Sequence, residues 1–231
     1  MLSRILSEWP DFATYYNLIF LAEAAGTTLA LSAIGVVVGS LIGLLLAFVR
    51  STRSLLLFPA RAIAFVFTEI FRRVPFLVTL MLAFFVFQIF FSDTPLFVVA
   101  AVTTTLIAAA FLAEIIRAGL DSVHQNQWEA AAAMNFSLLQ TIWHVILPQA
   151  WRVILPPAFG FFVLFIKDTA LASQIGVVEL TYAGKMLNNK GFSPALAFGA
   201  ILIIYFIISY PLARFGAVLE ARLASSRHQR P

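Results

Sequence analysis

The sequence predicts an all-α membrane protein of about five transmembrane helices, two of them interrupted, with the N-terminus outside and the C-terminus cytoplasmic. Composition, the lengths of the apolar runs and the placement of arginine carry that reading. Of the 231 residues, 61% are hydrophobic and 11% charged, which leaves too little polar surface to cover a water-soluble domain of this length. Several runs reach the ~20 apolar residues that cross roughly 30 Å of hydrocarbon. The net charge of +4 does not signal nucleic acid, because the basic residues punctuate apolar runs and line no amphipathic or aromatic-interleaved face. The absence of cysteine excludes disulfides, thiolate metal sites and a cysteine nucleophile.

Before the first span, Met1, Leu2, Ile5, Leu6 and Trp9 fall on one face of a short interfacial helix, with a frayed terminus as the alternative. Glu8, Pro10 and Asp11 speak against a cleavable signal peptide. The first span is expected over 19–49, fixed at its inner end by Arg50 and Arg53; within it Gly35, Gly39 and Gly43 form a small-residue stripe for close helix packing. The next apolar segment, 54–91, is too long for one straight span, and Pro59, Arg61, Glu69, Arg72 and Arg73 make its first half a poor independent crossing. It reads as one interrupted crossing, broken at 69–75, with the outer turn at Asp93, Thr94 and Pro95. The third span covers 96–120, and the longest polar stretch, 121–157, follows it.

Apolar sequence resumes at Ala158, meets Lys167 and Asp168, and restarts over 169–178, which predicts a fourth crossing made of two half-helices around a polar break. The fifth spans 194–215 and runs into a basic tail. With the N-terminus outside, Arg50, Arg53, Arg61, Arg117, Arg152, Arg214, Arg222, Arg227 and Arg230 lie inside, against Arg4, Lys185 and Lys190 outside. An odd number of spans rules out an inverted repeat completed within one chain, so a partner is expected to complete any pore.

The stretch 121–157 reads as a helix, a turn and a second helix. Ala130 to Ala133 favour helix and present almost no bulk to an approaching surface. Asn135 tolerates the left-handed conformation that ends such a helix, Ser137 and Gln140 can form a capping box, and Pro148 is expected to close the segment.

Glu129, Ala130 and Ala131, with Asn135 in place of glycine, Val145 in place of isoleucine, and Leu147 and Pro148 at the expected distance, resemble the signature loop of importer permeases of the ATP-binding-cassette superfamily. Residues 113–119, 147–152, 155–157 and 167–172, with Glu69 to Pro75, are similar to the polar amino-acid uptake branch, so the resemblance covers about residues 15–220. Arg73 and Val74 depart from the glycine and threonine usual there. The resemblance implies a type I importer permease, with residues 1–231 forming a single multi-pass domain of a bacterial inner (plasma) membrane and 121–157 its cytoplasmic ATPase-coupling loop. Glu129, Ala130, Ala131, Asn135, Ser137, Leu147 and Pro148 would serve that coupling. Implied partners are two ATP-binding subunits, a second permease chain, identical or homologous, and an extracytoplasmic amino-acid-binding protein, in a lipid bilayer and without nucleic acid. The chain itself would bind no cofactor; ATP and magnesium would be used by the partner ATPase.

Ionisable residues at membrane depth are costly, by about 2.5–3.5 kcal/mol on insertion scales, and so mark candidate sites. Glu69 precedes Arg72 and Arg73 at helical spacing, so the three either neutralise one another or leave one arginine facing the substrate path. Glu114 and Arg117 are expected to pair, and Glu23 to sit at the outer mouth. At the expected break, Asp168 would cap a half-helix starting at Thr169, leaving Lys167 for a carboxylate or a partner chain. The candidate substrate path is therefore Arg72, Phe76, Phe161, Lys167, Asp168 and Thr169. The lack of a carboxylate cluster there disfavours a dedicated cationic substrate and leaves neutral and acidic amino acids open.

The alternative function is a self-contained ion-coupled amino-acid carrier, against which the docking-like loop argues. An intramembrane hydrolase has no support: His124, His144 and His228 form no zinc-binding pair, and no serine elbow is complete. A phosphate-binding Gly-x-x-x-x-Gly-Lys-Ser/Thr loop is missing, so energy from ATP would have to come from another chain.

Overall fold

The computed structural model describes residues 2–52 and 55–228. Arg53 and Arg230, the side chain of Arg227 and Met1 lie outside the described residues. The helices are α1 (Leu2–Phe12), α2 (Tyr15–Ser51), α3 (Phe58–Arg73), α4 (Phe76–Phe90), α5 (Leu96–Asp121), α6 (Gln125–Ala133), α7 (Leu138–Thr141), α8 (Leu147–Asp168), α9 (Leu180–Asn189) and α10 (Pro194–His228). A π-helical turn, Ile142–Ile146, joins α7 to α8, and a 3₁₀ segment, Thr169–Ile175, follows α8.

The bundle is organised around α2 and α5. Close approach is possible because Gly39 and Gly43 face α5 without side chains: an added Cβ would lie 2.7 Å from the Ala108 Cβ at Gly39 and 2.9 Å from the Ala113 nitrogen at Gly43. On the α5 side the contact surface is equally small, with Ala108, Ala109 and Ala113 fully enclosed. Hydroxyl groups inside these spans are satisfied locally, as in Ser32 Oγ donating to the Thr28 carbonyl at 2.7 Å and Thr103 Oγ1 to that of Val99 at 2.8 Å.

Between α3 and α4 the chain turns by 112°. Pro75 explains the position of the break, since a residue before proline is pushed out of the helical region, and Val74 adopts φ −80° and ψ 133°. Among the described residues, four helical runs, Tyr15–Ser51, Leu96–Asp121, Leu138–Ile175 and Pro194–Leu223, are long and apolar enough to cross a membrane, and the bent pair raises the number to five.

The fourth crossing differs from the expected pair of half-helices. The chain stays helical through Lys167 and Asp168 and only tightens to 3₁₀ geometry at Thr169. Asp168 has helical φ and ψ and caps nothing with its side chain. No glycine or proline lies there to release the backbone, and Thr169 Oγ1 instead donates back to the Ile166 carbonyl at 2.7 Å. The run ends at Gly176, whose φ of 93° suits glycine. Pro148 likewise closes nothing: the helix runs from the π-helical turn at Ile142–Ile146 straight into α8 and continues through Pro148. The turn after the 3₁₀ segment holds a further helix, α9, and α10 extends well past residue 215.

Candidate functional site

The loop between α5 and α8 is built from local rules. His124 Nδ1 accepts from the Asn126 N–H at the start of α6. Ala131 is buried, which pins α6 to the bundle, while Glu129, Ala130, Ala132 and Ala133 remain exposed. Asn135 takes φ 55°, the left-handed conformation, and turns the chain. Ser137 and Gln140 then form a reciprocal capping box: Ser137 Oγ accepts from the Gln140 N–H at 3.3 Å, and Gln140 Oε1 accepts from the Ser137 N–H at 2.8 Å. Gln149 Nε2 donates to Gln127 Oε1 at 3.1 Å and so ties the start of α8 to α6. Met134, Leu138, Leu139 and Trp143 are all more than 60% exposed along this edge, an apolar fringe around the small-residue face of α6.

One helix layer deeper lies a charged hub. Glu114 of α5 accepts from Arg50 Nη1 of α2 at 2.9 Å, lies 3.2 Å from Arg72 Nη1 of α3, and pairs with Arg117 one turn along α5. Arg50 also donates to Thr68 Oγ1 at 2.9 Å. Arg117 reaches Asp121, and Arg73 Nε lies 2.6 Å from Glu69 Oε2. Four guanidinium groups (Arg50, Arg72, Arg73, Arg117) against three carboxylates (Glu69, Glu114, Asp121) leave one net positive charge, 4 − 3 = +1, where α2, α3 and α5 meet. The expected pairs Glu114–Arg117 and Glu69 with Arg72 and Arg73 are present; that Arg50 and Arg72 converge on Glu114 is a product of tertiary packing.

The candidate path residues fall into separate groups. Arg72 lines a small cavity of about 230 Å³ with Phe111, Glu114 and Pro157, and its Nε is buried without a hydrogen-bond partner. Phe161 stacks on Phe111 at 5.4 Å between ring centroids, beside that cavity. Phe76 packs instead with the cluster around Leu31, Leu80 and Ala172, the last of which lies three residues after Thr169. Lys167 and Asp168 are exposed on the protomer surface, and neither side chain hydrogen-bonds to another described residue.

Outside the spans, Glu179 is a functional-looking residue that the sequence reading passed over. It is fully buried; its carboxylate accepts from the N–H groups of Thr181 and Tyr182 at 2.9 and 2.8 Å and from Tyr205 Oη at 2.9 Å. Burial pushes its pKa up, and these donors pull it back. The Leu180 N–H donates to Thr28 Oγ1 at 3.2 Å, so α9 is fastened to both α2 and α10. The available signal was an acidic residue directly before an amphipathic stretch and three residues after Gly176.

A broken apolar bundle with an exposed small-residue helix on one end defines a multi-pass membrane permease. Residues 35–225 match the family described as binding-protein-dependent transport system inner membrane component, and the chain belongs to that family. It is therefore a permease component of an ATP-binding-cassette transport system, placed in the inner membrane. Among curated relatives, the glutamine transport system permease protein GlnP of Escherichia coli is 36% identical over 205 residues, covering 88% of this chain and 92% of that protein. The L-cystine transport system permease protein TcyB of Bacillus subtilis is 34% identical over 197 residues, with 85% and 83% covered. Among solved structures, an amino acid ABC transporter with histidines superposes at a TM-score of 0.80 with 27% identity, over 89% of this chain and 94% of that one. The inward-facing MetNI methionine transporter shares the type I fold at a TM-score of 0.78 and 21% identity, over 91% and 99%.

Proposed function

We propose that this permease carries a polar, uncharged amino acid inward, with glutamine the first candidate. It would pair with itself or a homologous chain, receive substrate from an extracytoplasmic binding protein, and be driven by two ATP-binding subunits that use ATP and magnesium. Residues 121–157 are the proposed coupling segment within a single transmembrane domain. The observation that supports coupling most directly is the exposed face of α6, Glu129 with Ala130, Ala132 and Ala133, fringed by Met134, Leu138, Leu139 and Trp143. Such a face costs little to cover and gains apolar area when a partner seats on it. Asn135 and Ser137 shape its turn, Ala131 anchors it, and Leu147 and Pro148 begin the helix that leads from it into the membrane.

Arg72, Phe76, Phe161, Lys167, Asp168 and Thr169 are the residues proposed to border the substrate path once a second chain is present. Lys167 and Asp168 point out of the protomer, which suits a wall completed by that chain. The glutamine and cystine carriers among the relatives favour a substrate with no net charge. Uptake of labelled glutamine into proteoliposomes holding the chain, its ATPase, its permease partner and its binding protein tests the reading. Uptake is expected only with hydrolysable ATP and binding protein, and Glu129→Lys should lower both ATPase co-purification and uptake. Uptake by the chain alone on an ion gradient would refute it.

A further inference from the structure

The helix before the first span, α1, presents three distinct faces. With about 100° of turn per residue, Ile5, Glu8 and Phe12 share one sector, Leu6 and Trp9 a second, and Arg4, Ser7 and Asp11 a third. The first sector is fastened to the bundle. Phe12 is buried and meets Phe192 edge-on at 5.2 Å between ring centroids, Ile5 packs against the same cluster, and the Glu8 carboxylate accepts from the Ser193 N–H at 2.7 Å. Asn17 Nδ2 donates to the carbonyls of Asp11 and Phe12, both at 3.2 Å, which fixes the angle between α1 and α2. The third sector is polar and exposed. The second is apolar, more than half exposed at both residues, and continues onto the start of α2 as Tyr15, Tyr16 and Leu18, each also more than half exposed.

The spans set the depth at which this face lies. On α10, Pro194 to Arg214 measures about 30 Å, and on α5, Leu96 to Arg117 measures about 31 Å, each the thickness of the hydrocarbon core with the arginine at its inner edge. Ser193, whose carbonyl accepts from the N–H groups of Leu196 and Ala197 to open α10, therefore marks the outer edge, and Glu8 holds α1 at that level. Starting from the same level, α2 takes about 52 Å to reach Arg50 and so crosses obliquely. Exposed tryptophan and tyrosine favour this headgroup zone, where one part of the ring is apolar and the other wet.

We propose that α1 lies on the outer leaflet, with Leu6 and Trp9 in the boundary between headgroups and acyl chains and Tyr15 and Tyr16 beside them, as a strut that steadies the turn from α9 to α10. The apolar sector lies roughly opposite the polar one and about a quarter turn from the sector fastened to the bundle, the arrangement of a helix lying flat on a lipid surface beside its own bundle. Bilayer contact then fixes the turn at Ser193, and with it the outer end of the last crossing.

The test uses the full chain with Trp9 as its single tryptophan (Trp128, Trp143 and Trp151 changed to phenylalanine), in vesicles of phosphatidylethanolamine and phosphatidylglycerol carrying bromine near the headgroup end or near the methyl end of the acyl chains. Bromine near the headgroup should lower Trp9 fluorescence about twofold or more, bromine near the methyl end less, and aqueous iodide little. Leu6→Asp, on the exposed face, should raise iodide quenching and reduce hydrogen-exchange protection of the Ser193 amide several-fold. Quenching by iodide but not by bromolipid would overturn the proposal, as would quenching by neither, which would report a protein covering the face. Ser193 protection unchanged in Leu6→Asp would refute the steadying role.

Discussion

Replacing Glu114 by glutamine keeps its shape and removes the charge on which three arginines converge. The consequence for each differs. Arg117 keeps Asp121, and Arg72 keeps Glu69 at 3.9 Å; both are about a third exposed, where water offsets much of the loss. Arg50 is 8% exposed and is left with the Thr68 hydroxyl and the face of the Phe65 ring, 5.5 Å away. Orphaning one charge of a buried pair costs about 3–5 kcal/mol, and Thr68 and partial hydration bring the expected loss to about 2–3 kcal/mol, roughly 30- to 150-fold in the folding equilibrium. Unfolding in mixed micelles by titration with SDS measures it. Arg50→Met in the same background removes the orphan and should recover at least about 1 kcal/mol. A loss below about 0.5 kcal/mol for Glu114→Gln, or a double variant no more stable than the single one, would show that Glu114 does not hold Arg50 in the folded chain.

Three further outcomes follow from local geometry. Gly43→Val should destabilise by about 1–3 kcal/mol or more, because its Cβ would meet the Ala113 nitrogen and Ala109 carbonyl of α5, whereas Gly26→Ala, with nothing within 4 Å, should be tolerated in the same unfolding assay. Asn135→Val should cost about 1–2 kcal/mol of local stability and Asn135→Gly almost none, read as hydrogen-exchange protection of the α6 amides. Glu8 has a pKa lowered to about 2, chiefly by the Ser193 N–H and then by Arg4. A depressed carboxylate holds its contact above the ordinary carboxylate range and loses it only as pH falls toward that value. Protection of the Ser193 amide should therefore stay level from neutral pH to about 4 and drop in Glu8→Gln, both read by hydrogen exchange.

What the sequence made legible was whatever depends on neighbours in the chain. The capping box at Ser137 and Gln140, the left-handed Asn135, the break before Pro75 and the glycine stripe each rest on a steric or hydrogen-bonding rule acting within a few residues. The hub at Glu114 was half legible for the same reason: Arg117 is one turn away, while Arg50 is 64 positions distant and arrives through the packing of α2 on α5. The misreading at Lys167 and Asp168 came from treating polarity as a helix breaker. A helix tolerates polar residues whose side chains leave the protomer core, and breaks where backbone geometry demands it, which here is Gly176. Glu179 escaped notice because Tyr205 reaches it from 26 positions away, and Thr28, which holds the neighbouring Leu180 N–H, from 152.

The uninterrupted helical course from Leu138 to Ile175 has a mechanical meaning. It spans 38 residues, so the end of the proposed coupling segment and the outer end of the fourth crossing belong to one helical run about 55 Å long. A tilt of about 5° applied at the inner end of a rod of that length would swing the far end through about 5 Å, less whatever bending is taken up at Pro156 and Pro157 inside α8. The soft points are the π-helical turn at Ile142–Ile146 beside the loop, the Pro156–Pro157 pair inside α8, and Gly176 beyond the other end. Motion imposed on the loop would travel along this run toward Gly176, where α9 and its Glu179 anchor begin.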